Sequence, residues 1–381
     1  MNEPQNGFEF LEEIKKINGK KTQSFNSFYK YLDIKAREKG VPIHGQFELT
    51  PICNFDCKMC YVHLNKDQLG GREVLSVDKW KELMHQAFEA GMMCATLTGG
   101  ECLAYPGFEE LYLYLNNLGC EINVLTNGYL LDERRIDFFK HHRPNLVKIT
   151  LYGWNDDVYE RVTGRRVFSV VEKNISKALE ADLPIRISIT PSTYLGEDVF
   201  ETIRVSRNLV KDVFVNSALF NPREETGKSE MYVDANAEMY VRIYKLLNEL
   251  NGIETKEIAE DKLPPAGNPL YECGECGLQC GGGRSSFVID WKGTLMPCNR
   301  LNIIKAFPLL DGFAKAWKSV NKKANSWPRV SECQGCAYRG VCSNCSGNTL
   351  QYVKPGERPT ELCKRTKFFV QQGIAIIPEC D

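Results

Sequence analysis

The stretch CATLTGGECLAYPGFEELYLYLNNLGCEINVLTNG, residues 94–128, decides the fold. It opens with a short β-prone run, passes through Gly99 and Gly100, and continues as FEELYLYLNNLG (108–119) with apolar residues at helical spacing. It then returns to a β-prone run, EINVLTNG (121–128). A strand, a helix and a second strand in that order form a βαβ unit. The crossover brings the chain back to the same end of the sheet, so the two strands lie parallel.

The same rhythm extends in both directions. GQFELT (45–50) precedes it, and LVKITLYG (146–153), PIRISITPS (184–192) and DVFVNSALF (212–220) follow, each rich in the residues that favour buried strands. Helical patterns lie between them. VDKWKELMHQAFEAG starts after the N-cap candidate Ser76 and stops at Gly91, and DERRIDFFKHH (132–142), FSVVEKNISKALEA (168–181) and EDVFETIRVSRNLV (197–210) complete the set. Six strands joined by helices predict an α/β fold, a partial (β/α)6 TIM-like barrel over residues 44–232, with its active site at the C-terminal ends of the strands.

On either side the pattern changes. Residues 1–43 read as an N-terminal helical extension that packs through Phe25, Phe28, Tyr29 and Tyr31. Residues 233–251 form an amphipathic helix and DKLPPAGNP (261–269) a linker, so 233–268 is a helical linker region. Over residues 269–381, Gly, Cys and polar residues dominate around one hairpin-like stretch, SSFVIDWKGTLMPC (285–298). Regular elements look too sparse there for an ordinary core, which points to a small domain held together by a cofactor.

The balance of 48 Lys and Arg against 49 Asp and Glu gives a net charge of -1. A nucleic-acid partner is not expected, because phosphate backbones call for a basic surplus. No apolar run is long enough to span a membrane, and the acidic, polar start MNEPQNGFEF is not a signal peptide, so a cytoplasmic protein is expected.

The 16 cysteines are the abnormal feature. In a reducing compartment, clustered thiols bind metal or do chemistry more often than they form disulfides. Cys53, Cys57 and Cys60 sit on one loop directly after the first strand. Three thiolates there suit three irons of a cubane cluster and leave the fourth iron open; a zinc site with His63 as fourth ligand also fits the residue types. Nine more cysteines lie between Cys273 and Cys363, many spaced two apart so that both sulfurs reach one metal. Composition alone does not choose between zinc and iron at that end.

The loop Cys53-x3-Cys57-x2-Cys60 resembles the signature of the radical S-adenosylmethionine (SAM) enzymes. The resemblance implies a [4Fe–4S] cluster whose open iron binds the amino and carboxylate groups of SAM. An electron from the cluster cleaves SAM to methionine and a 5′-deoxyadenosyl radical, which takes a hydrogen atom from substrate. Met59 stands where the family usually has an aromatic residue on the adenine side. Gly99, Gly100 and Glu101 match the family's GGE motif, implied to hold the methionyl amine. Thr150 and Arg161 resemble its ribose and carboxylate contacts, with Arg165 and Arg166 competing for the latter role. Cys102 follows Glu101 where many relatives have proline; a thiol near the radical centre is able to return a hydrogen atom to substrate, as an epimerase requires, and is equally a small buried hydrophobe.

The C-terminal cysteines resemble a SPASM domain, which implies two auxiliary [4Fe–4S] clusters. By that resemblance Cys333, Cys336, Cys342 and Cys363 hold one, and Cys298, Cys345 and two of Cys273, Cys276 and Cys280 hold the other. Two residues, not the family's three, separate Cys342 from Cys345, which leaves a three-ligand cluster with an open iron as the alternative.

SPASM enzymes mostly modify peptides, so the resemblance implies a precursor-peptide substrate and cross-linking, cyclisation or epimerisation as the reaction. It also implies an external electron donor such as flavodoxin or ferredoxin. The 43 residues before the barrel are short for a strand-adding leader-recognition domain of about 80 residues, so a separate leader-binding protein or leader-independent binding is expected. In the sulfatase-maturing branch an Asp base follows the cysteine of the G-x4-C step; here Asn299 stands there, and an amide is no general base. The alternatives are a small-molecule radical dehydrogenase and a zinc-stabilised binding module.

Overall fold

The computed structural model describes residues 25–65, 67–216, 219, 223, 237–255, 257, 277–333, 336–338, 341, 342, 345–350 and 352–374. The linker read at 261–269, together with Cys273, Cys276 and Cys380, lies outside these residues. The six expected strands are β1 (His44–Glu48), β2 (Cys94–Thr98), β3 (Glu121–Thr126), β4 (Leu146–Leu151), β5 (Ile185–Ile189) and β6 (Val213–Val215). They pair in parallel with their sequence neighbours, as a chain of right-handed crossovers dictates. The intervening helices are α2 (Val77–Glu89), α3 (Phe108–Asn117), α4 (Glu133–His141), α5 (Asp156–Thr163), α6 (Phe168–Glu180) and α7 (Asp198–Leu209), and α8 (Ala237–Leu250) follows. Ser76 caps α2 by accepting from the Lys79 amide, and Asp132 and Asn155 do the same for α4 and α5.

The helix α1 (Phe25–Lys39) lies across the N-terminal ends of the strands. Tyr29 donates its phenol to Glu121 at the start of β3, and Asp33 accepts from Ser285 over 2.6 Å. The N-terminal aromatics are expected to pack by their faces; of the two whose side chains are described, Tyr29 uses its hydroxyl at the start of β3 and Tyr31 lies under the Lys35 ammonium at 5.6 Å.

The C-terminal segment departs further from expectation. Its hairpin, β7 (Ser286–Ile289) and β8 (Leu295–Met296), joins the barrel sheet, with β7 parallel to β1 in register His44↔Ser286. The sheet therefore runs β6-β5-β4-β3-β2-β1-β7-β8. This placement pairs the edge of β1 that would otherwise be open. Behind the hairpin, α9 (Pro308–Asp311) leads into α10 (Phe313–Asn325), which buries Phe313, Ala316, Trp317, Val320 and Ala324. The ring of Phe287 meets Phe313 at 5.0 Å, Phe47 of β1 at 5.9 Å and Trp317 at 6.1 Å. This part of the C-terminal region thus shares the apolar core of the barrel, contrary to the sparse core expected. Beyond it come the short α11 (Ser346–Thr349) and α12 (Thr360–Gln371).

Candidate active site

The chain leaves β1 at Glu48 and folds back over the ends of β1 and β2. Gly100 donates its amide to the Thr50 carbonyl over 2.6 Å and Glu101 to that of Ile52 over 3.0 Å. A side-chain carbon on Gly99 would sit 2.5 Å from the Thr50 oxygen, and one on Gly100 would sit 2.5 Å from the Ile52 oxygen. The two glycines are therefore required by the close passage of the cysteine loop itself. The loop is tied on its other flank as well, where Asp56 and Lys58 donate to the carbonyls of Thr163 and Val162 at the end of α5. Phe55 anchors it edge-on to Tyr129, Tyr152 and Tyr159.

On this loop the three thiols are partly or wholly covered. Cys53 accepts from the Phe55 amide at 3.4 Å and from Asn127 at 3.6 Å, and Cys60 accepts from the His63 amide at 3.2 Å. Burial, and then the charge of Glu101, push the Cys53 thiol up to about 12. A metal arriving here displaces a proton, so binding is coupled to pH. His63 faces Asp56, its Nδ1 3.4 Å from the carboxylate. Among the described residues no three His, Cys, Asp or Glu are arranged to hold a single metal ion.

Above the strand ends lies a cavity of about 370 Å³. Cys57, Met59 and Cys60 line one side, Gly99 and Gly100 the next, and Thr126, Asn127 and Thr150 the wall opposite. The donor set of three thiols beside two side-chain-free residues and a half-buried threonine fits a cluster-bound SAM. Of the residues singled out in the sequence, Cys57, Met59, Cys60, Gly99, Gly100 and Thr150 line this cavity, and Glu101, Arg161 and Cys102 do not.

Glu101 does not face the cavity. Its carboxylate is buried and accepts from Thr126 Oγ1 (2.8 Å), the Asn127 amide (2.8 Å) and the Leu103 amide (3.0 Å). Burial raises its pKa, and those three donors pull against the rise. It stitches the GGE turn to the end of β3, where the sequence pointed to an ammonium acceptor. Arg161 also lies outside the cavity: it pairs with Asp198 and donates to the carbonyls of Tyr194 (3.1 Å) and Leu195 (3.4 Å). Cys102 is wholly buried, does not line the cavity, and donates to the Leu125 carbonyl over 3.1 Å.

Residues not singled out in the sequence complete the site. The next residue after Cys60, Tyr61, accepts at its phenol from Asn299 Nδ2 over 2.9 Å. Arg223 lies 5.7 Å over the Tyr61 ring and forms a buried ion pair with Glu48 of β1 at 2.7 Å. Deeper in the barrel, Lys148 faces the cavity from β4. Strand alternation placed Lys148 and Thr150 on one face and was the available signal.

In the C-terminal region Cys333, Cys336, Cys342 and Cys363 line a single cavity of about 410 Å³. Thr366 donates to Cys342 at 3.4 Å. Cys298 has Cys280 and Cys345 as neighbours: burial first, then those two thiols, push it up to about 11.

Residues 47–210 match the family model described as the Radical SAM superfamily. Over 331 residues the chain is 24% identical to the antilisterial bacteriocin subtilosin biosynthesis protein AlbA of Bacillus subtilis, covering 81% of this chain and 68% of that protein. It is 26% identical to a PqqA peptide cyclase of Bradyrhizobium diazoefficiens, covering 80% and 81%. Among solved structures, Streptococcus suis SuiB bound to the precursor peptide SuiA superposes with a TM-score of 0.67 at 15% identity, over 94% of this chain and 87% of that one. Native anSMEcpe with bound AdoMet superposes at 0.64 with 17% identity, over 87% and 96%.

Proposed function

We propose that this chain is a radical SAM enzyme of the SPASM type and that it modifies a ribosomally made peptide by hydrogen-atom abstraction. The observation that carries this reading is the single cavity onto which Cys57, Cys60, Met59, Gly99, Gly100 and Thr150 converge at the C-terminal rim of the barrel. Relatives whose names record peptide cyclisation and bacteriocin biosynthesis, and a neighbour solved with a precursor peptide, support a peptide as substrate.

Cys53, Cys57 and Cys60 would hold a [4Fe–4S] cluster that, when bound, supplies the electron for cleavage of SAM to methionine and a 5′-deoxyadenosyl radical. Gly99 and Gly100 would offer their backbone to the methionyl end, with Glu101 fixing their turn through Thr126 and Asn127. Met59 and Thr150 line the cavity, where they would pack the adenine and meet the ribose. Arg161 holds the β5–α7 connection through Asp198. In the C-terminal region, Cys333, Cys336, Cys342 and Cys363 would hold one auxiliary cluster. Cys280, Cys298 and Cys345 would hold the other, with Cys273 or Cys276 as its fourth ligand. An external one-electron carrier such as flavodoxin or ferredoxin would reduce the enzyme. Because Cys102 is buried with its thiol turned to Leu125, bond formation, meaning a cross-link or ring, is favoured over epimerisation through that residue.

The test is anaerobic. Reconstituted, dithionite-reduced protein should release 5′-deoxyadenosine from SAM, and Cys57→Ala should abolish release. Mass spectrometry of a co-expressed precursor peptide should show loss of two hydrogens per cross-link. Absence of 5′-deoxyadenosine overturns the radical reading; turnover with unmodified peptide overturns the peptide reading alone.

A further inference from the structure

The cavity holds one cation and, among its described lining residues, no carboxylate. Lys148 supplies the cation from β4, one step below Thr150 on the same face. Its cross-strand neighbour Arg186 is already matched by Asp212 at 2.6 Å. Lys148 has no ion-pair partner among the described residues; its ammonium lies 4.5 Å from the ring of Phe214, which is itself half exposed. Burial, reinforced by Arg186, lowers the pKa of Lys148. Asp212 opposes that fall from a distance but is bonded to Arg186; a half-buried ammonium facing a polar cavity with no ion-pair partner of its own is under-compensated, and an anion bound there offsets the penalty.

Beside it the wall is built to accept a second anionic oxygen. Asn216 Nδ2 donates to Thr190 Oγ1 at 2.7 Å and to Ser188 Oγ at 3.2 Å. Both hydroxyl oxygens are thereby used as acceptors, and both hydroxyl hydrogens are free to donate into the cavity that Ser188, Thr190 and Asn216 line.

We propose that Lys148, with Ser188 and Thr190, is the receptor for a carboxylate of the substrate, an Asp or Glu side chain or a chain-terminal carboxylate beside the carbon that reacts. The assignment rests on the peptide reading above and narrows it to an acidic acceptor residue. The carboxylate of SAM shares the same chemistry, so the test separates the two sources.

Unreduced holoenzyme is titrated calorimetrically with acetyl-Ala-Glu-Ala-amide, its Gln counterpart, the non-peptide dicarboxylate glutarate, and SAM. The Glu peptide should bind at least tenfold more tightly than the Gln peptide. Lys148→Met should erase that difference and Lys148→Arg should retain most of it, with SAM affinity within twofold of the parent in both. Equal binding of the Glu and Gln peptides, a preference that survives Lys148→Met, or a tenfold loss of SAM affinity in that variant would each overturn the assignment. Glutarate binding that depends on Lys148 without peptide binding would leave the carboxylate receptor standing and remove the peptide. Failure to form 5′-deoxyadenosine would remove the radical reading and leave these titrations unaffected.

Discussion

Asn299 donates to the phenol of Tyr61 over 2.9 Å, across 238 positions of sequence. Each residue directly follows a cysteine: Tyr61 follows Cys60, and Asn299 follows Cys298. One hydrogen bond therefore joins the loop of the first thiol set to the hairpin that carries a thiol of the second. Burial holds the Tyr61 phenol protonated, and Arg223 covers its ring while pairing with Glu48 inside the barrel. Tyr61→Phe leaves the Asn299 amide without its partner. It should cost about 1–3 kcal/mol in denaturant unfolding, as expected for an orphaned buried donor, with the same loss in Asn299→Ala and no further loss in the double variant.

Gly100 has no room for a methyl group. The added carbon meets the backbone oxygens of Ile52 and Pro51 at 2.5 and 2.6 Å, and backbone does not rotate away. Gly100→Ala should displace the Cys53 loop. The expected outcome is protein that folds, retains iron in its C-terminal region, and loses 5′-deoxyadenosine formation by at least tenfold, read by iron analysis alongside product chromatography.

The wedge between barrel and C-terminal helix is Phe287, 2% exposed and in contact with Phe47, Phe313 and Trp317. Truncating a buried Phe costs about 3–5 kcal/mol. Phe287→Ala should lower the unfolding midpoint accordingly, and barrel and hairpin signals should fall together, because their core is one.

Lys148 carries a pH signature. Its folded pKa lies below that of the unfolded chain because burial disfavours the charged form. Below the folded value both states are protonated and the full penalty is present. As pH rises through the folded value toward the unfolded one, the unfolded chain binds more protons, so stability rises. Lys148→Met should therefore be more stable than the parent near neutrality, with the advantage shrinking in thermal unfolding scans as pH rises toward the ordinary lysine value.

The burial of Cys102, and its bond to Leu125, make it a packing residue. Cys102→Ala should cost about 1 kcal/mol, the scale of one lost buried contact. Product formed in deuterated solvent should carry the same deuterium content as with the parent.

Much of this architecture is legible along the chain because its cause is local. Strand alternation, caps such as Ser76 and Asp132, and the helix spacing between them announce the βα repeats. Thiols two or three residues apart are close whatever else the fold does, so the Cys53 loop declares itself. The C-terminal hairpin is visible as a hairpin, whereas the amphipathic Phe313–Asn325 lies in a region whose composition reads as too sparse in regular elements for a core.

The sequence by itself determined the parallel barrel, the rim that carries its chemistry, and the thiol sets, since each depends on spacing within one short segment. Only the tertiary structure decided which way the side chains at that rim turn. Glu101 turns inward because Thr126 and Asn127 supply donors from another strand; Arg161 turns to Asp198; Lys148 is left facing the cavity because Asp212 is already taken by Arg186. A charged side chain turns to the donors or counter-charge within reach, and those lie elsewhere in the chain.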